Sequence, residues 1–461
     1  MNIGKAITGN LLAGSLGRII NALTPLLLVP LMIRTWGLHE YGEWLILTAI
    51  PTYLMLSPDL GLVGAVINQM AILTAQGDRS GAIRLYRTSW LVLTTMGVLF
   101  ALAGAAVARW VDWKPLGITL LANHAAGILS WSLVQIFIGQ QCLLLSGIYR
   151  SARRNPRVGL IGSIGYAFYL LVGCTTLALR SGPVTFVAAN VVGRLAFLAV
   201  MLFDSRRIMP DFTVSLKGIS VQAIRPYIVP GFGHATMPLI NALQNEGMVL
   251  VLGATLGPVS VAIFQTTRTA VNGAKSLTAW VSSAVMMEIP ALIGEGRMNA
   301  ARRLLAINTQ AALAAAFCWL ILLALFGELI FHLWLHSKAV YSASLVFIML
   351  ASMFPLALGN SFMIFLLATN QIHRAVLWLL PAALFSLAIT ALGGLFLGLN
   401  GAASGLIAFE TFSLIVVGSV AARRTQVGVR ETLTAVFSKH SVSTAYSAAL
   451  SSLRFARTER H

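Results

Sequence analysis

Four polar residues, Gln265, Arg268, Asn272 and Lys275, interrupt the apolar stretch from Val259 to Met287. At about 100° per residue they fall within an arc of roughly 80° on one helix face, with the two cations two turns apart. A charged side chain at a bilayer centre costs about 3 kcal/mol on insertion scales and more in simulations. Such a stripe must therefore face a bundle interior or a water-filled cavity. Fixed positive charge in a cavity suits an anionic ligand, and a guanidinium can grip phosphate oxygens bidentately.

Two further segments carry polar faces. The first apolar run places Ser15, Arg18, Asn21 and Pro25 together, and the seventh places His234, Asn241, Gln244 and Asn245 together. Glu246 points about 140° away from Asn241 at the α-helical period. Three stripes meeting across an interface would line a hydrophilic cavity; the alternative is hydrogen bonding that only glues helices together. The candidate substrate-binding set is thus Arg18, Asn21, Asn241, Gln244, Asn245, Gln265, Arg268, Asn272 and Lys275. Asp59, Glu246 and Glu410 are candidates to carry a coupling proton or sodium ion. Arg194, Asp59 and Glu410 each stand alone on their helix, so a structural ion pair is an equal reading for each.

The elements that must position these residues are membrane spans. The chain is 57% hydrophobic and 10% charged. Runs of about 20 apolar residues, each long enough to span a bilayer, recur at 11–33, 44–72, 88–108, 119–146, 158–179, 183–203, 227–252, 259–287, 304–327, 342–368, 375–397 and 401–421. The expectation is an all-α polytopic membrane protein of about twelve helices. The first run is too long for the apolar core of a cleavable signal and reads as a retained span. Proline inside several runs, including Pro25, Pro30, Pro51, Pro58, Pro230, Pro238 and Pro355, permits bending.

A net charge of +18 first suggests nucleic acid, but its distribution excludes that reading. With the N-terminus inside, 23 of the 32 Lys and Arg fall in cytoplasmic loops and the tail, five outside and four within spans. This bias places both termini in the cytoplasm and implies contact with anionic membrane lipids. Trp36, Trp110, Trp113 and Trp334 fall at expected outer span ends, as an aromatic belt requires. Cys142, Cys174 and Cys318 lie in apolar runs and are expected to be buried small hydrophobes, with no metal or disulfide spacing.

The chain also repeats. Ile20-Asn21-Ala22-Leu23 returns as Ile240-Asn241-Ala242-Leu243, and Ala65–Leu85 matches Ala284–Leu304 with identities that include Gly77/Gly296 and Ala82/Ala301. The spacing spans six helices, an even number, so two six-helix bundles would be related by a pseudo-two-fold along the membrane normal. The expected division is residues 1–204, a cytoplasmic linker 205–225, a second bundle 226–421 and a basic tail 422–461. Transporters built from such repeats bind substrate between halves and rock about it. In the tail, Leu433, Val436 and Phe437 would suit an interfacial helix, and a partly disordered basic tail is an equal reading.

No catalytic signature is present: no phosphate loop, no G-x-S-x-G, no H-E-x-x-H and no Asp-x-Asp pair. The expectation is a non-enzyme without cofactor or metal, driven by an ion gradient, the membrane potential or the substrate gradient.

The start of the chain resembles polysaccharide flippases of the multidrug/oligosaccharidyl-lipid/polysaccharide exporter superfamily. The likeness rests on Pro25 and Pro30, the turn Gly37-Leu38-His39-Glu40-Tyr41-Gly42-Glu43-Trp44, and Asp59-Leu60-Gly61-Leu62. That order is typical of O-antigen and exopolysaccharide translocases, and the twelve spans extend the likeness over all but the tail. The resemblance implies translocation of undecaprenyl-diphosphate-linked oligosaccharide across a bacterial inner membrane, in lipopolysaccharide or other polysaccharide biosynthesis. It also implies a cationic lumen, which Arg18, Arg268 and Lys275 match in character, and work alongside a polysaccharide polymerase and other assembly proteins. Two alternatives stay open: a drug or cation antiporter of the same superfamily, and a membrane polysaccharide polymerase or ligase.

Overall fold

The computed structural model describes residues 3–59, 62–335, 341–368 and 372–425. The tail beyond 425, with its interfacial-helix expectation, lies outside these residues, and so do the side chains of Arg18, Asp59 and His234. The described residues are helical almost throughout: α1 (Ile3–Trp36), α2 (Leu38–Asp59), α3 (Leu62–Ala75), α4 (Arg79–Trp110), α5 (Ala125–Ser151), α6 (Asn155–Ala178), α7 (Pro183–Ile208), α8 (Val221–Ala242), α9 (Met248–Leu256), α10 (Pro258–Gly294), α11 (Met298–Leu335), α12 (Ala343–Ala351), α13 (Met353–Ala368) and α14 (Ile372–Thr425). Among the described residues nine helices are long and apolar enough to cross a membrane, and the chain is a multi-pass membrane protein.

Nine differs from twelve for identifiable reasons. The last two expected spans form the single element α14, bent at Gly398 (φ 63°, ψ −149°), a conformation that only glycine adopts readily. The expected spans 44–72 and 259–287 are not among the nine, although their described residues are helical. The first of these divides into α2 and α3. The seventh expected span is also divided: α8 passes through a π-helical turn, Leu243–Gly247, into α9.

The chain divides into two compact units, residues 1–266 with 334–337, and 267–333 with 338–461. In the first unit α3, α4 and α5 enclose a core of Val66, Met70, Leu85, Tyr86, Leu144, Leu145 and Ile148. The segment expected as a linker is fastened to this core. Phe212 is buried in it, and Arg87 of α4 donates from Nε to the Thr213 carbonyl (3.1 Å) and from Nη1 to the Lys217 carbonyl (3.2 Å). Helices α8 and α9 pack on α2, α3 and α4, all within this unit. In the second unit a smaller core joins Val285, Ile289, Ala301, Leu305, Ile364 and Phe365.

The repeated stretch has the same local geometry in both copies. Gly77 and Gly296 both take the left-handed conformation, at φ 86° and 72°. The Gly77 amide donates to the Thr74 carbonyl and the Gly296 amide to the Ile293 carbonyl. The Arg79 amide then donates to the Gly77 carbonyl as the Met298 amide does to that of Gly296. Ala82 and Ala301, each one turn into the following helix, are both fully buried.

Two surface expectations need correction. Trp110 is 89% exposed, as a belt residue should be, but Trp113 is buried, donating from its indole nitrogen to the Ala108 carbonyl at 3.3 Å. A 3-10 turn at Lys114–Leu116 folds the chain back and brings that ring inward. Cys142 is buried as expected, whereas Cys174 is half-buried and Cys318 exposed. Apolar sequence alone does not separate a lipid-facing thiol from a core one.

Candidate functional site

The stripe on α10 sits beside a packed face. Val261, Ala262, Phe264, Thr266, Thr267, Val271 and Ala274 are buried, while Gln265, Arg268 and Asn272 are half-buried and Lys275 is exposed. The helix therefore packs through its small and apolar residues and keeps the polar four out of the core. Glu410 of α14, half-buried, interacts electrostatically with Lys275 and with Arg268. These three charges lie in the second unit, so Glu410 is not isolated as its helix position suggested.

Lys275 lines a cavity of about 280 Å³ between α10, α11 and α13. Its wall is largely apolar, with Met286, Met353 and Met363, and its polar groups are Lys275, Thr278, Ser282 and Asn360. A buried hydrogen-bond chain supports that wall. Asn360 Nδ2 donates to Ser282 Oγ (2.8 Å), and Ser282 Oγ donates to Asn308 Oδ1 (3.1 Å). Asn308 Nδ2 donates to Ser361 Oγ (2.9 Å), which also accepts from Thr309 Oγ1 (2.7 Å). Sequence reasoning missed this network. Its visible signal was Asn308-Thr309-Gln310 and Asn360-Ser361, polar groups within otherwise apolar runs, which must find partners when buried.

The seventh-segment residues are arranged differently from the expected single face. Gln244 is buried at 6% exposure, whereas Asn241 and Asn245 are exposed and Glu246 is half-buried. The π turn explains this: a wider turn shifts the angular position of each residue from that of a 3.6-residue helix. Tyr53 of α2 donates its hydroxyl to the Ala242 carbonyl at 3.0 Å, immediately before the turn, and interacts electrostatically with Glu246. Asn21, on α1, lines a separate cavity of the first unit together with Arg194.

Glu43 of the Tyr-Gly-Glu-Trp turn is fully buried. Its Oε1 accepts from the Thr119 amide (2.7 Å), the Thr119 hydroxyl (3.0 Å) and the Leu120 amide (3.0 Å), and its Oε2 accepts from the Leu121 amide (2.6 Å). His39 Nε2 stands 3.0 Å from Oε1. Burial disfavours the carboxylate, but the Thr119, Leu120 and Leu121 amides and the Thr119 hydroxyl outweigh it and hold Glu43 below the ordinary carboxylate range. The turn thus ties the start of α2 to the segment before α5. It is a scaffold feature of the described residues.

No protein-family model and no curated protein matches the sequence. Solved structures do match the fold. A multidrug resistance MATE family transporter of the MOP superfamily, in an inward-facing conformation, superposes with a TM-score of 0.69 at 16% identity over 90% of this chain and 99% of its own. The lipid II flippase MurJ, in an inward closed conformation, gives 0.70 at 12% identity over 95% and 92%. The MATE multidrug transporter DinF-BH gives 0.67 at 14% identity over 95% and 98%. The chain accordingly has the all-helical fold of the MATE transporters and of MurJ.

Proposed function

We propose that this protein is a flippase that moves polyprenyl-diphosphate-linked oligosaccharide, the undecaprenyl form in a bacterial inner membrane, by alternating access of two halves. The observation that carries the reading is the α10 stripe, with Arg268 half-buried and Lys275 exposed on one face of a helix that packs through its other face. A diphosphate needs such charge-assisted donors, and a guanidinium supplies two parallel ones. Arg18 adds a third cation on α1. Gln265, Asn272, Asn241, Gln244 and Asn245 offer hydrogen bonds to sugar. Asp59, Glu246 and Glu410 are the groups to couple transport to a proton or sodium ion. The division into two six-helix bundles, cytoplasmic termini and work alongside polysaccharide-assembly proteins belong to the same reading.

A second reading, a drug or cation antiporter, draws on the MATE likeness and on Glu410. It predicts a predominantly acidic cavity, whereas the cavity beside α10 carries Lys275 and the one beside α7 carries Arg194, each without a lining carboxylate. Replacement of Arg268 and Lys275 by Gln tests the choice. The expected result is loss of surface glycan with the protein still in the membrane at normal abundance. Wild-type glycan from that double variant would overturn the diphosphate role, and hypersensitivity of a deletion strain to toxic cations with intact glycan would favour the antiporter.

A further inference from the structure

The first unit contains a cavity of about 500 Å³ bounded by α1, α5, α6 and α7. Its space comes from glycines at 139, 162, 165 and 193. A Cβ on Gly162 would meet nothing within 4 Å, and one on Gly139 would stand 3.8 Å from the guanidinium carbon of Arg194. Arg194 is the one cation among the lining residues, and no carboxylate lines the cavity with it. No ion pair to Arg194 occurs among the described residues, and its Nε is buried without a hydrogen-bond partner. Asn190, one turn earlier on α7, is 2% exposed. Its Nδ2 donates to the Phe186 carbonyl (2.9 Å), which leaves Oδ1 as a buried acceptor without a partner. Gln135, Asn21, Tyr166 and Tyr169 are among the other polar and aromatic lining residues.

This combination specifies a ligand. Arg194 lies eleven residues into α7, about 16 Å along the helix axis, so it is far from the span ends where phospholipid headgroups sit. Arg194 is half-buried, and a cation at that depth is costly unless a partner or water meets it. The partner must satisfy one guanidinium and also donate to an amide oxygen. A diphosphate fails on both counts: it carries more charge than one cation balances, and its oxygens only accept at neutral pH. A hexuronate meets both needs, since its carboxylate accepts from arginine and its hydroxyls donate to Asn190 Oδ1. Aromatic rings beside polar groups suit the two faces of a pyranose.

We infer that this cavity is a subsite for an acidic sugar, with Arg194 holding the carboxylate and Asn190 Oδ1 accepting from a ring hydroxyl. The inference rests on the flippase reading and narrows it: the transported oligosaccharide contains a uronic acid or a similar carboxylated residue.

The test is titration of the purified full-length protein in nanodiscs with glucuronate, galacturonate and glucose, followed by calorimetry. Uronates should bind at least tenfold more tightly than glucose. R194Q should reduce uronate affinity to the glucose level, and the R268Q/K275Q variant should keep the wild-type preference. G162L fills the cavity from a position with open space, so it should weaken uronate binding while the unfolding midpoint stays within error. It also serves if R194Q fails to fold. Equal affinity for uronate and glucose, uronate preference retained in R194Q or G162L, or competition by inorganic phosphate or phosphatidylglycerol vesicles but not by uronate would each overturn the proposal. A water-soluble short-chain polyprenyl diphosphate, titrated in parallel, separates the two hypotheses. Its binding without uronate binding sinks the subsite alone, and uronate binding without it sinks the diphosphate reading alone.

Discussion

Gly42 of α2 lies directly against the backbone of Pro258 at the start of α10: a Cβ on Gly42 would overlap the Pro258 carbonyl group. The close approach gives the Tyr-Gly-Glu-Trp turn a structural logic. Tyr41 stacks on Trp44 with centroids 6.0 Å apart, Glu43 binds the segment at 119–121, and Gly42 admits the neighbouring chain. Since the obstructing atoms are backbone, they cannot swing away as a flexible side chain would. G42A should lower stability by about 1–3 kcal/mol, the usual range for overpacking. Thermal unfolding in detergent measures it, and an unchanged midpoint would show that the two helix starts can separate freely.

Glu43 makes stability depend on pH at this end of the bundle. It precedes the expected span 44–72, and its carboxyl is held below the ordinary range by the four donors at 119–121. A group with a depressed folded pKa contributes stability that is fully present above its unfolded value, about 4.3, and is lost as pH falls through the folded value. Unfolding midpoints should therefore hold from neutral pH down to the carboxylate range and drop below it. E43Q places an amide donor among amide donors and should cost about 1–3 kcal/mol, while removing part of that acid sensitivity. A variant as acid-sensitive as the wild type would assign the effect to another carboxylate.

Much of this scaffold was legible in the sequence because it is written in length and period. The span at 88–108 falls within α4, the span at 158–179 ends one residue past α6, and the gap between 397 and 401 brackets the Gly398 bend. The α10 stripe was legible for the same reason, since an uninterrupted α-helix keeps 100° per residue. The seventh segment was not, because the π turn at 243–247 breaks that rule and buries Gln244 between exposed Asn241 and Asn245. The Arg194 cavity was also hidden: it needs glycines from three helices, and their approach is tertiary. The Asn308 network illustrates a third limit, since an isolated polar residue in an apolar run does not name its partner.

The bend in α14 yields a local prediction. Gly398 takes φ 63° and ψ −149°, and on either side of it Gly393 and Gly401 touch backbone to backbone. G398A puts a Cβ into a region that other residues occupy only under strain, at about 1–3 kcal/mol. G401A would drive the two helical arms apart through the Gly393 carbonyl. Both should lower the unfolding midpoint, and cysteine crosslinking across the arms should fall in G401A. Retained crosslinking would mean that the arms tolerate a wider approach.

Glu410 sets the balance of charge around the stripe. It interacts with Lys275 and with Arg268, so it partly offsets the positive field that the proposed diphosphate would meet. Removing it takes away a carboxylate that acts on both cations. E410Q should then bind a soluble polyprenyl diphosphate about tenfold more tightly, equivalent to about 1.4 kcal/mol, and K275Q should bind it more weakly. Tighter binding is not faster transport, because a carrier must release what it holds. E410Q should therefore lower glycan export while raising affinity, whereas K275Q should lower both. The double variant should fall between the singles in affinity, with an interaction energy that a double-mutant cycle reads directly. Weaker diphosphate binding in E410Q would instead make Glu410 a support for the cations' geometry. Unchanged binding would remove it from the site.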